Sequence, residues 1–437
     1  MKAPLWQLKN LSGMWREQWR SPEELRRSQS AKLRLLVRHA WRRSPSYRRL
    51  LERQGLGPAD IRGIDDLPAL PVISKEQLRD ALPREAFPAP AGFVEVATSG
   101  STGFPLRLLF FREDNSRLNV NWLRPLLAHG VRPWHRRFEI TGPHNLPVGE
   151  KWYQQLGLWR RRVVSVFRSP ADWEEAFRSA RPRVLYGYTG SIKIFARHLL
   201  DRGVRDIRPR FIFGVSDLMD QECRELVMAA FGRRIVDIYG AAEGGCIAWE
   251  CPICDGYHVN ADTVIVEFLQ AGRPASPGTP GRITITNLHS RALPIIRYDL
   301  EDIGVAGAAA PVCGRGLPLM KVVAGRSDAC VILPSGRRLS PLFFFAIMKP
   351  IKGVARWRVV QDVAGGVEIS VVPVADFSPD QAGRIRRAVA AETGEQVRVK
   401  VTPVDRIPPD PTGKVRAVVS RVAERLDQGS GFENIIS

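Results

Sequence analysis

The chain has 437 residues, of which 44% are hydrophobic and 25% are charged, a balance typical of a soluble globular protein. This length exceeds one ordinary core and predicts two or more domains. No apolar run approaches the roughly 18 residues that span a bilayer, and the longest candidate, Leu342–Met348, predicts a short buried segment. Lys9, Arg16 and Arg20 interrupt the N-terminus where a secretory signal would be apolar, so the sequence predicts a cytoplasmic protein.

Half of the net charge of +20 lies in residues 1–53, where fourteen Lys and Arg stand against four Glu. Trp6, Trp15, Trp19 and Trp41 are interleaved with these charges. One interpretation is a basic amphipathic surface that contacts an anionic membrane or another acidic partner. The other is a solvated pair of helices. No zinc finger, basic zipper or RNA-binding sheet motif accompanies the charge, so no nucleic acid is expected as a partner.

The hydrophobic periodicity is helical near the N-terminus and then alternates between helix and strand. Ser74 is a suitable N-cap for a helix that begins at Lys75, and Gly203 and Gly232 are the expected stop residues of two later helices. The other predicted elements are helices over residues 24–54, Ser191–Asp201 and Asp220–Phe231, and strands over Ile235–Tyr239, Val264–Phe268 and Ile283–Thr286. This alternation predicts an α/β domain with mixed or parallel sheets.

The pattern changes in the last quarter of the chain. Residues 355–373 alternate like strands, residues 379–393 have helical periodicity, and residues 396–404 alternate again. This order predicts a small α+β domain. The predicted parts are a large N-terminal domain of residues 1–327, with a basic helical leader over residues 1–75, and a small mobile α+β C-terminal lid of residues 328–437.

The first motif that carries chemistry is a hydroxyl-rich loop with two glycines. Glycines let a backbone approach an anion closely, and hydroxyl and N–H groups can cradle a phosphate. The loop lacks the Lys-Ser/Thr ending of a Walker A sequence, so it does not predict a P-loop. Its residues are Thr98, Ser99, Gly100, Ser101, Thr102 and Gly103.

A second motif, Asp237-Ile238-Tyr239-Gly240-Ala241-Ala242-Glu243, ends a predicted strand and turns at a glycine. Ligand sites of α/β proteins form at the carboxyl ends of strands. Tyr239 can stack there on a purine, and the Glu243 carboxylate can hold a magnesium ion that bridges phosphates. The three remaining motifs are Ile296–Gly304, whose acids can accept from ribose hydroxyls, Gly325–Asp328 and Pro411–Arg416.

The order and spacing of these five segments resemble the acyl-adenylate-forming superfamily, and within it the phenylacetate-CoA ligase family with its capsule-biosynthesis-associated branch. The resemblance covers nearly the whole chain, including Ser46 to Pro71 and the block Leu185-Tyr186-Gly187-Tyr188-Thr189-Gly190-Ser191. It implies ATP, Mg²⁺ and coenzyme A as cofactors. It also implies a two-step reaction, in which a carboxylic acid becomes an acyl-AMP with release of pyrophosphate and then passes to the coenzyme A thiol.

The resemblance implies a role for each matching residue. Glu243 is the magnesium carboxylate, Lys414 the mobile-domain lysine of adenylation, Arg326 a nucleotide-contacting arginine and Asp328 the hinge residue. The other residues implied in nucleotide binding are Thr98 to Gly103 around the phosphates; Gly214, Ser216 and Asp217 beside adenine; Asp237, Tyr239, Gly240 and Ala241, with the tyrosine on adenine; and Asp302 on the ribose hydroxyls.

Two positions depart from the pattern of the superfamily. Its usual threonine before the magnesium glutamate is Ala242 here, so one hydroxyl for phosphate or substrate is missing. Leu106 and Arg107 follow the hydroxyl-rich loop, where many distant relatives have a lysine. The first departure bears on full catalytic competence.

The cysteines suggest a metal site. Cys246, Cys251 and Cys254 lie close together in sequence, with Cys313 further on, and in a cytosolic enzyme such clustering favours metal over disulfides. Zinc takes four ligands in a tetrahedron, so Cys251, Cys254, His258 and Cys313 are the predicted structural zinc ligands, with Cys246 in reserve. The alternative is a set of reduced, partly buried thiols.

Three hypotheses of function stay open. The first is an acyl-CoA ligase. The second keeps adenylation but transfers the acyl group to a carrier protein, an amine or a sugar in polysaccharide or natural-product assembly. The third is a catalytically degraded, nucleotide-binding scaffold, which the retention of Glu243, Asp302, Arg326 and Lys414 argues against.

No motif specifies the acid. Trp134, His135, Tyr186 and Tyr188 lie in stretches that are candidates for the acyl pocket and favour an aromatic or arylacetic acid, although the same side chains could pack a core. His144 is a candidate contact of the substrate carboxylate, with an exposed loop histidine as the alternative.

Overall fold

The protein is described by a computed structural model that covers most of the chain. The described residues are 3–80, 91–97, 106–142, 149, 152–216, 219, 221–270, 272–276, 278–307, 310–324, 331–335, 338–339, 341–348, 350–363, 365–374, 377–393, 397–407 and 418–422. They belong to two compact units built from separated stretches of sequence. Unit 1 comprises Met1–Thr98, Leu106–Arg132 and Val236–Arg326, and unit 2 comprises Ser99–Pro105, Pro133–Ile235 and Ser327–Ser437.

Helices and strands alternate along the chain, as the sequence predicts. The α-helices are α1 (Ala3–Glu17), α2 (Pro22–Arg43), α3 (Pro45–Glu52), α4 (Lys75–Asp80), α5 (Arg112–Asn121), α6 (Leu123–Ala128), α7 (Trp152–Gln155), α8 (Pro170–Ala180), α9 (Thr189–Asp201), α10 (Gln221–Phe231), α11 (Pro341–Met348) and α12 (Pro379–Thr393), and a 3-10 helix spans Ile64–Ala69.

The strands, in chain order, are β1 (Phe93–Ala97), β2 (Arg107–Phe111), β3 (Arg137–Thr141), β4 (Arg161–Ser165), β5 (Val184–Tyr188), β6 (Phe211–Val215), β7 (Ile235–Ala241), β8 (Gly245–Glu250), β9 (Tyr257–Val259), β10 (Val264–Gln270), β11 (Arg273–Pro274), β12 (Gly281–Asn287), β13 (Tyr298–Ala306), β14 (Leu319–Ala324), β15 (Val331–Ile332), β16 (Arg338–Leu339), β17 (Val354–Val363), β18 (Gly366–Pro373), β19 (Arg398–Pro403) and β20 (Val418–Ser420).

Unit 1 is built on an antiparallel sheet with the strand order β11-β10-β12-β13-β14-β9-β8-β7. The apolar stripe predicted for the leader is confirmed, because Leu33, Leu36, Val37 and Ala40 of α2 are buried. They belong to the same hydrophobic core as Ile285 of β12. The leader is therefore packed onto the sheet.

Unit 2 contains two larger sheets. Its first sheet is parallel, with the order β6-β5-β3-β4, and its core includes buried residues of α8, α9 and α10. Its second sheet has the order β19-β18-β17-β20 and packs with α11 and α12. The predicted mixture of parallel and antiparallel pairing is confirmed, and the parallel α/β pattern belongs to the first sheet of unit 2.

Local signals fixed several helix starts. The Ser21 hydroxyl accepts from the Glu24 N–H at 3.2 Å, and the Ser21 N–H donates to Glu24 Oε2 at 2.8 Å, which together form a capping box at the start of α2. Ser74 and Gln77 repeat this arrangement before α4, which confirms the predicted start at Lys75. The predicted helix over residues 24–54 is two helices, because Pro45 cannot continue the first.

The apolar run Leu342–Met348 lies in α11, and the side chains of the run that the structure describes, Phe343, Phe344, Ile347 and Met348, are buried, as predicted. Among the described residues, none of the helices is both long and apolar enough to cross a membrane. The predicted domain boundary at residue 327 stays a prediction, and the chain passes from unit 1 to unit 2 between Arg326 and Ser327.

A buried arginine connects three separate stretches of unit 1. Arg124 of α6 is 0% exposed and forms two hydrogen bonds of 2.7 Å with the carboxylate of Asp262. It also donates to Asn260 Oδ1 at 2.5 Å and to the Met14 carbonyl of α1 at 2.8 Å. Burial by itself would raise the pKa of Asp262, but the adjacent guanidinium holds that pKa below its usual value.

Replacing this carboxylate by an amide tests how much unit 1 depends on the network. Asp262→Asn would leave a buried guanidinium without its counter-ion, so we expect a loss of about 3–5 kcal/mol in the free energy of unfolding, measured by urea denaturation. Asp65→Asn is the matched control, because Asp65 pairs with Arg26 at the surface and its loss should cost less than about 1 kcal/mol. Equal, small losses would contradict the assignment.

Candidate functional site

A tyrosine and an aspartate from separate strands are joined by a side-chain hydrogen bond in unit 1. Tyr239 lies in β7 and Asp302 in β13, and both are partly exposed. The Tyr239 hydroxyl donates to Asp302 Oδ2 at 2.7 Å, although 63 residues separate the two in sequence. The fold thus brings together the two residues predicted to contact adenine and ribose. An aromatic face beside a carboxylate suits a purine and hydroxyl donors.

Gly240 allows the end of β7 to pack closely against Trp122 and the start of β8. The register of β7 and β8 shifts between Tyr239 and Gly240. A Cβ atom on Gly240 would lie 2.5 Å from Cη2 of Trp122 and 2.7 Å from the Gly245 carbonyl oxygen, so a larger residue would displace the backbone. This constraint holds the end of the strand that carries Tyr239.

Glu243 lies in the tight turn between β7 and β8. It is 6% exposed, and its backbone carbonyl accepts a hydrogen bond of 2.7 Å from Asn287 Nδ2 at the end of β12. Mg²⁺ is commonly bound by one or two carboxylates together with substrate phosphates. Glu243 supplies such an oxygen donor four residues after Tyr239. Its role as magnesium ligand stays a prediction.

Asp237 has partners within the sheet of unit 1. Its Oδ2 accepts a hydrogen bond of 2.7 Å from the Tyr257 hydroxyl, and its N–H donates to Glu250 Oε2 at 2.9 Å. Asp237 is also 6% exposed. The Tyr257 hydroxyl already uses one oxygen of the Asp237 carboxylate. The predicted nucleotide contact of Asp237 therefore competes with a structural role.

In unit 2, Gly214 and Ser216 lie at the carboxyl end of the parallel strand β6. A Cβ atom on Gly214 would lie 2.6 Å from Thr189 Oγ1 and 2.9 Å from Met219 Cε, which explains the glycine. Ser216 is exposed and has φ 77°, in the left-handed region. Such strain costs about 1–3 kcal/mol and is concentrated at ligand sites, so it favours the predicted role beside adenine.

The aromatic residues predicted near an acyl pocket have different environments within unit 2. Trp134 is 65% exposed, whereas Tyr188 is buried at the end of β5. His135 is buried and stacks on Phe211 with 5.7 Å between ring centroids. For His135 the packing alternative is therefore the better description.

Some predicted residues lie outside the described part of the chain, and their roles stay predictions. They are Thr98, Ser99, Gly100, Ser101, Thr102, Gly103, His144, Asp217, Arg326, Asp328 and Lys414.

The fold brings the four predicted zinc ligands together in unit 1. The ligand atoms of Cys251, Cys254, His258 and Cys313 all lie within 4.8 Å of one another. Cys313 Sγ is 3.2 Å from His258 Nε2. The His258 Nδ1 lies 3.1 Å from the Leu317 carbonyl oxygen, which directs Nε2 towards the thiols.

The electrostatics of these groups differ. Burial lowers the pKa of His258 to about 4, so its imidazole is neutral at pH 7, as a metal ligand must be. Burial raises the pKa of Cys251 to about 11. For Cys313 burial also acts upwards, but hydrogen bonds from Arg315 outweigh it and lower the pKa of that thiol. Cys313 is thus the member that most readily becomes a thiolate.

Cys246, the predicted reserve ligand, is not a member of this cluster among the described residues. It is 0% exposed in β8, and burial raises its pKa to about 12. Its environment is that of a structural, unreactive thiol.

No motif in the sequence indicates a role for Tyr257 or Arg315. Tyr257 holds Asp237, and the Arg315 guanidinium lies over the rings of Trp19, at 4.8 Å, and Trp249, at 5.5 Å. No local pattern signals such contacts, because the partners come from distant parts of the chain.

Comparison with known proteins identifies relatives of the chain. Residues 331–421 match the family model of the CapK C-terminal domain. The chain is 29% identical over 327 residues to the phenylacetate-coenzyme A ligase of Thermus thermophilus, with 71% of this chain and 72% of the relative covered. It is 28% identical over 329 residues to the phenylacetate-coenzyme A ligase of Escherichia coli, with 72% and 74% covered.

A solved structure shares the fold. It is a 2-hydroxyisobutyryl-CoA ligase in complex with 2-HIB-AMP and CoA in the thioesterification state. The TM-score is 0.63 with 18% identity, and the similarity covers 95% of this chain and 93% of that chain. The likeness confirms the predicted adenylate-forming fold.

Two tyrosines of unit 1 offer a matched test of the nucleotide site. Tyr239→Phe removes the hydroxyl that donates to Asp302 and keeps the ring, so we expect ATP to bind roughly 10- to 100-fold more weakly by calorimetry, the equivalent of one hydrogen bond to a charged group. Tyr257→Phe removes an equivalent hydrogen bond to Asp237 and should leave the Kd for ATP within about twofold.

Unchanged affinity in Tyr239→Phe would contradict the role of the Tyr239–Asp302 pair. A loss in Tyr257→Phe as large as in Tyr239→Phe would place Asp237 in the nucleotide site as well.

Proposed function

We propose that the chain, which is similar to phenylacetate-coenzyme A ligases, belongs to their family, activates a carboxylic acid with ATP as an acyl-AMP and transfers the acyl group to coenzyme A. The observation that carries this proposal is the Tyr239–Asp302 hydrogen bond of 2.7 Å, which joins the two residues predicted to bind adenine and ribose. ATP and coenzyme A are cytoplasmic, and the proposed place of action is the cytoplasm.

The first step joins two anions. A carboxylate oxygen of the acid attacks the α-phosphorus of ATP, the bond to pyrophosphate breaks, and pyrophosphate leaves. The barrier is electrostatic, so preorganised cations and N–H donors lower it most. Mg²⁺ held by Glu243 would neutralise charge on the phosphates, and the ammonium of Lys414 would reduce the repulsion between the carboxylate and the α-phosphate and stabilise the negative charge on the α-phosphate oxygens.

The roles proposed for the remaining residues are binding and orientation. Tyr239 would hold adenine on its ring, and Asp302 would accept from both ribose hydroxyls, which fixes the nucleoside for in-line attack. Gly214 and Ser216 would lie beside adenine, Arg326 would contact the nucleotide, and the hydroxyl-rich loop of Thr98 to Gly103 would cradle the phosphates. These contacts contribute to catalysis by placing the α-phosphorus within reach of the carboxylate of the acid.

The second step requires a different arrangement of the site. The coenzyme A thiolate attacks the acyl carbon, the bond between that carbon and the AMP oxygen breaks, and AMP leaves. A lysine carried on a mobile C-terminal part can withdraw after the first step and admit the thiol. Asp328 is the proposed hinge. The acceptor could instead be a carrier protein, an amine or a sugar, and the first step would be the same.

The proposed substrate class is aromatic or arylacetic acids. Two curated relatives are phenylacetate-coenzyme A ligases, and Tyr186 and Tyr188 occupy the predicted acyl stretch of this chain. Ala242 leaves one hydroxyl fewer at the site than the superfamily has, so the rate of the first step is the property most open to loss.

Acid-dependent exchange of labelled pyrophosphate into ATP tests adenylation directly. We expect exchange with one class in a panel of aryl, arylacetic, fatty and hydroxy acids. Lys414→Ala should lower it on the order of 10²- to 10³-fold, the usual effect of removing one group that stabilises the transition state. Lys400→Ala is the matched control, since Lys400 is an exposed lysine of β19 that pairs with Glu368 and should be neutral.

Exchange that survives in Lys414→Ala would refute the role of this lysine. Absence of exchange with every acid, while ATP still binds, would favour the scaffold hypothesis. If Ala242→Thr then restored exchange, the missing hydroxyl would be the cause.

We also propose that the leader contacts an anionic membrane surface. Arg34 and Arg38 are exposed one turn apart on α2, and Leu35 between them is 67% exposed. Such a face combines positive charge with apolar area. Co-sedimentation with phosphatidylserine vesicles should fall several-fold in Arg34→Gln/Arg38→Gln, whereas Arg384→Gln/Arg386→Gln on α12, with the same change of charge, should bind like the unaltered protein. Equal binding of both variants would refute the proposal.

A further inference from the structure

We propose that Cys251, Cys254, His258 and Cys313 bind one structural Zn²⁺, and that this ion fixes the connector between α1 and α2, residues 18–21, on the sheet of unit 1. The metal and its mechanical role go beyond the ligase chemistry. Neither depends on which acid the protein activates.

The spacing of the ligand atoms fits a tetrahedron. Zinc–sulfur bonds of about 2.3 Å and zinc–nitrogen bonds of about 2.0–2.1 Å give tetrahedral edges of roughly 3.4–3.8 Å between ligand atoms. The measured separations include 3.2 Å between Cys313 Sγ and His258 Nε2 and are all within 4.8 Å. Small side-chain adjustments would therefore place all four atoms on one ion.

The groups around the ligands also suit a metal. His258 Nδ1 faces the Leu317 carbonyl, so Nε2 is the nitrogen that faces the thiols. The Ile253 N–H lies 3.4 Å from Cys251 Sγ, in position to stabilise a thiolate. Gly314, with φ 79°, lets the chain turn immediately after Cys313.

The cluster supplies four protein ligands, which fill the coordination of zinc. Catalytic zinc sites in proteins keep three protein ligands and leave one position for water or substrate. Four thiol and imidazole ligands from Cys251, Cys254, His258 and Cys313 therefore indicate a structural ion.

Such an ion would join two loops of unit 1 that are distant in sequence. Cys251 and Cys254 lie between β8 and β9, and Cys313 lies between β13 and β14. The pair His258 and Cys313 is 55 residues apart. Of the two loops, the one that carries Cys313 also contacts the N-terminal leader.

Arg315, two residues after Cys313, provides this contact. Its guanidinium lies over the ring of Trp19 and over the ring of Trp249, and its Nε donates to Gln18 Oε1 at 3.0 Å. A cation over the faces of two aromatic rings is attracted by both. Anything that loosens the Cys313 loop would therefore loosen the hold on Trp19.

The backbone reinforces the same contact. The Gly316 N–H donates to the Gln18 carbonyl at 3.0 Å. A Cβ atom on Gly316 would lie 1.7 Å from the Arg20 carbonyl oxygen, so the loop and the connector approach more closely than any other residue would allow. The loop that carries Cys313 thus packs directly against the connector of the leader.

The first experiment is metal analysis of the full-length protein, purified without chelators. We expect close to one zinc per chain. Cys251→Ser and Cys313→Ser should each lose most of it, and Cys223→Ser, a buried cysteine of unit 2, should retain it. Because a ligand variant could misfold, Co²⁺ exchanged into the unaltered protein provides a second readout, with the d–d and thiolate charge-transfer bands of a tetrahedral site expected.

Substoichiometric zinc together with the absence of a tetrahedral cobalt spectrum would overturn the metal site. Iron in place of zinc would overturn the identity of the ion.

The second experiment tests whether the ion holds the connector, residues 18–21, on the sheet. Hydrogen exchange of the unaltered protein is measured before and after zinc is removed with a chelator. We expect exchange to rise at least about tenfold at residues 18–21 and 313–317, with α9 of unit 2 unchanged as the internal control. Faster exchange confined to residues 251–258 and 313–317 would overturn the proposed role of the ion in holding residues 18–21, and the metal site itself would still stand. Acid-dependent pyrophosphate exchange, measured on the same samples, distinguishes either failure from a failure of the proposed ligase activity.

Discussion

The buried guanidinium of Arg124 is the interaction on which unit 1 depends most. A charge with no exposure to solvent is stable only when it is paired and hydrogen-bonded, and here one carboxylate, one amide and one backbone carbonyl satisfy it. Arg124 lies in α6, and its partners come from α1 and from the residues before β10. Asn260 extends the network, because its Nδ2 donates to the Cys246 carbonyl and its Oδ1 accepts from Trp249 in β8. The helical leader and the sheet are therefore held by one polar centre.

The candidate chemistry lies on the strands that this centre organises. β7 ends at a glycine that packs against Trp122, and its tyrosine reaches the aspartate of β13. β8 leads into the Cys251 loop, and Trp249 of the same strand contacts both His258 and Arg315. The proposed nucleotide site and the proposed metal site thus share one scaffold, so a change at the buried arginine would affect both. The same arrangement gives the basic leader a structural function in addition to its proposed surface contact.

Elements governed by local patterns could be predicted from the sequence, whereas contacts between distant residues could be predicted only where a motif marked the residues. The helix predicted over residues 379–393 is α12, and Gly203 and Gly232 end α9 and α10 in the left-handed conformation expected of stop residues. The Cys/His spacing predicted four side chains that the fold does bring together, because coordination needs particular side chains at short separations. The environment of Asp237 was missed, since Tyr257 acts across strands. Arg315 was missed for the same reason, as nothing in its own neighbourhood signals Trp19.

The most direct test of the central claim follows one atom through the reaction. The acid is supplied with both carboxylate oxygens labelled with ¹⁸O, together with ATP and coenzyme A. The masses of the products are then measured by mass spectrometry. Attack of the carboxylate on the α-phosphorus followed by thiol transfer leaves one labelled oxygen in AMP and the other in the acyl-CoA carbonyl. Label in AMP is the result that the account predicts. Label in inorganic phosphate with ADP as the nucleotide product, or unlabelled AMP, would contradict it.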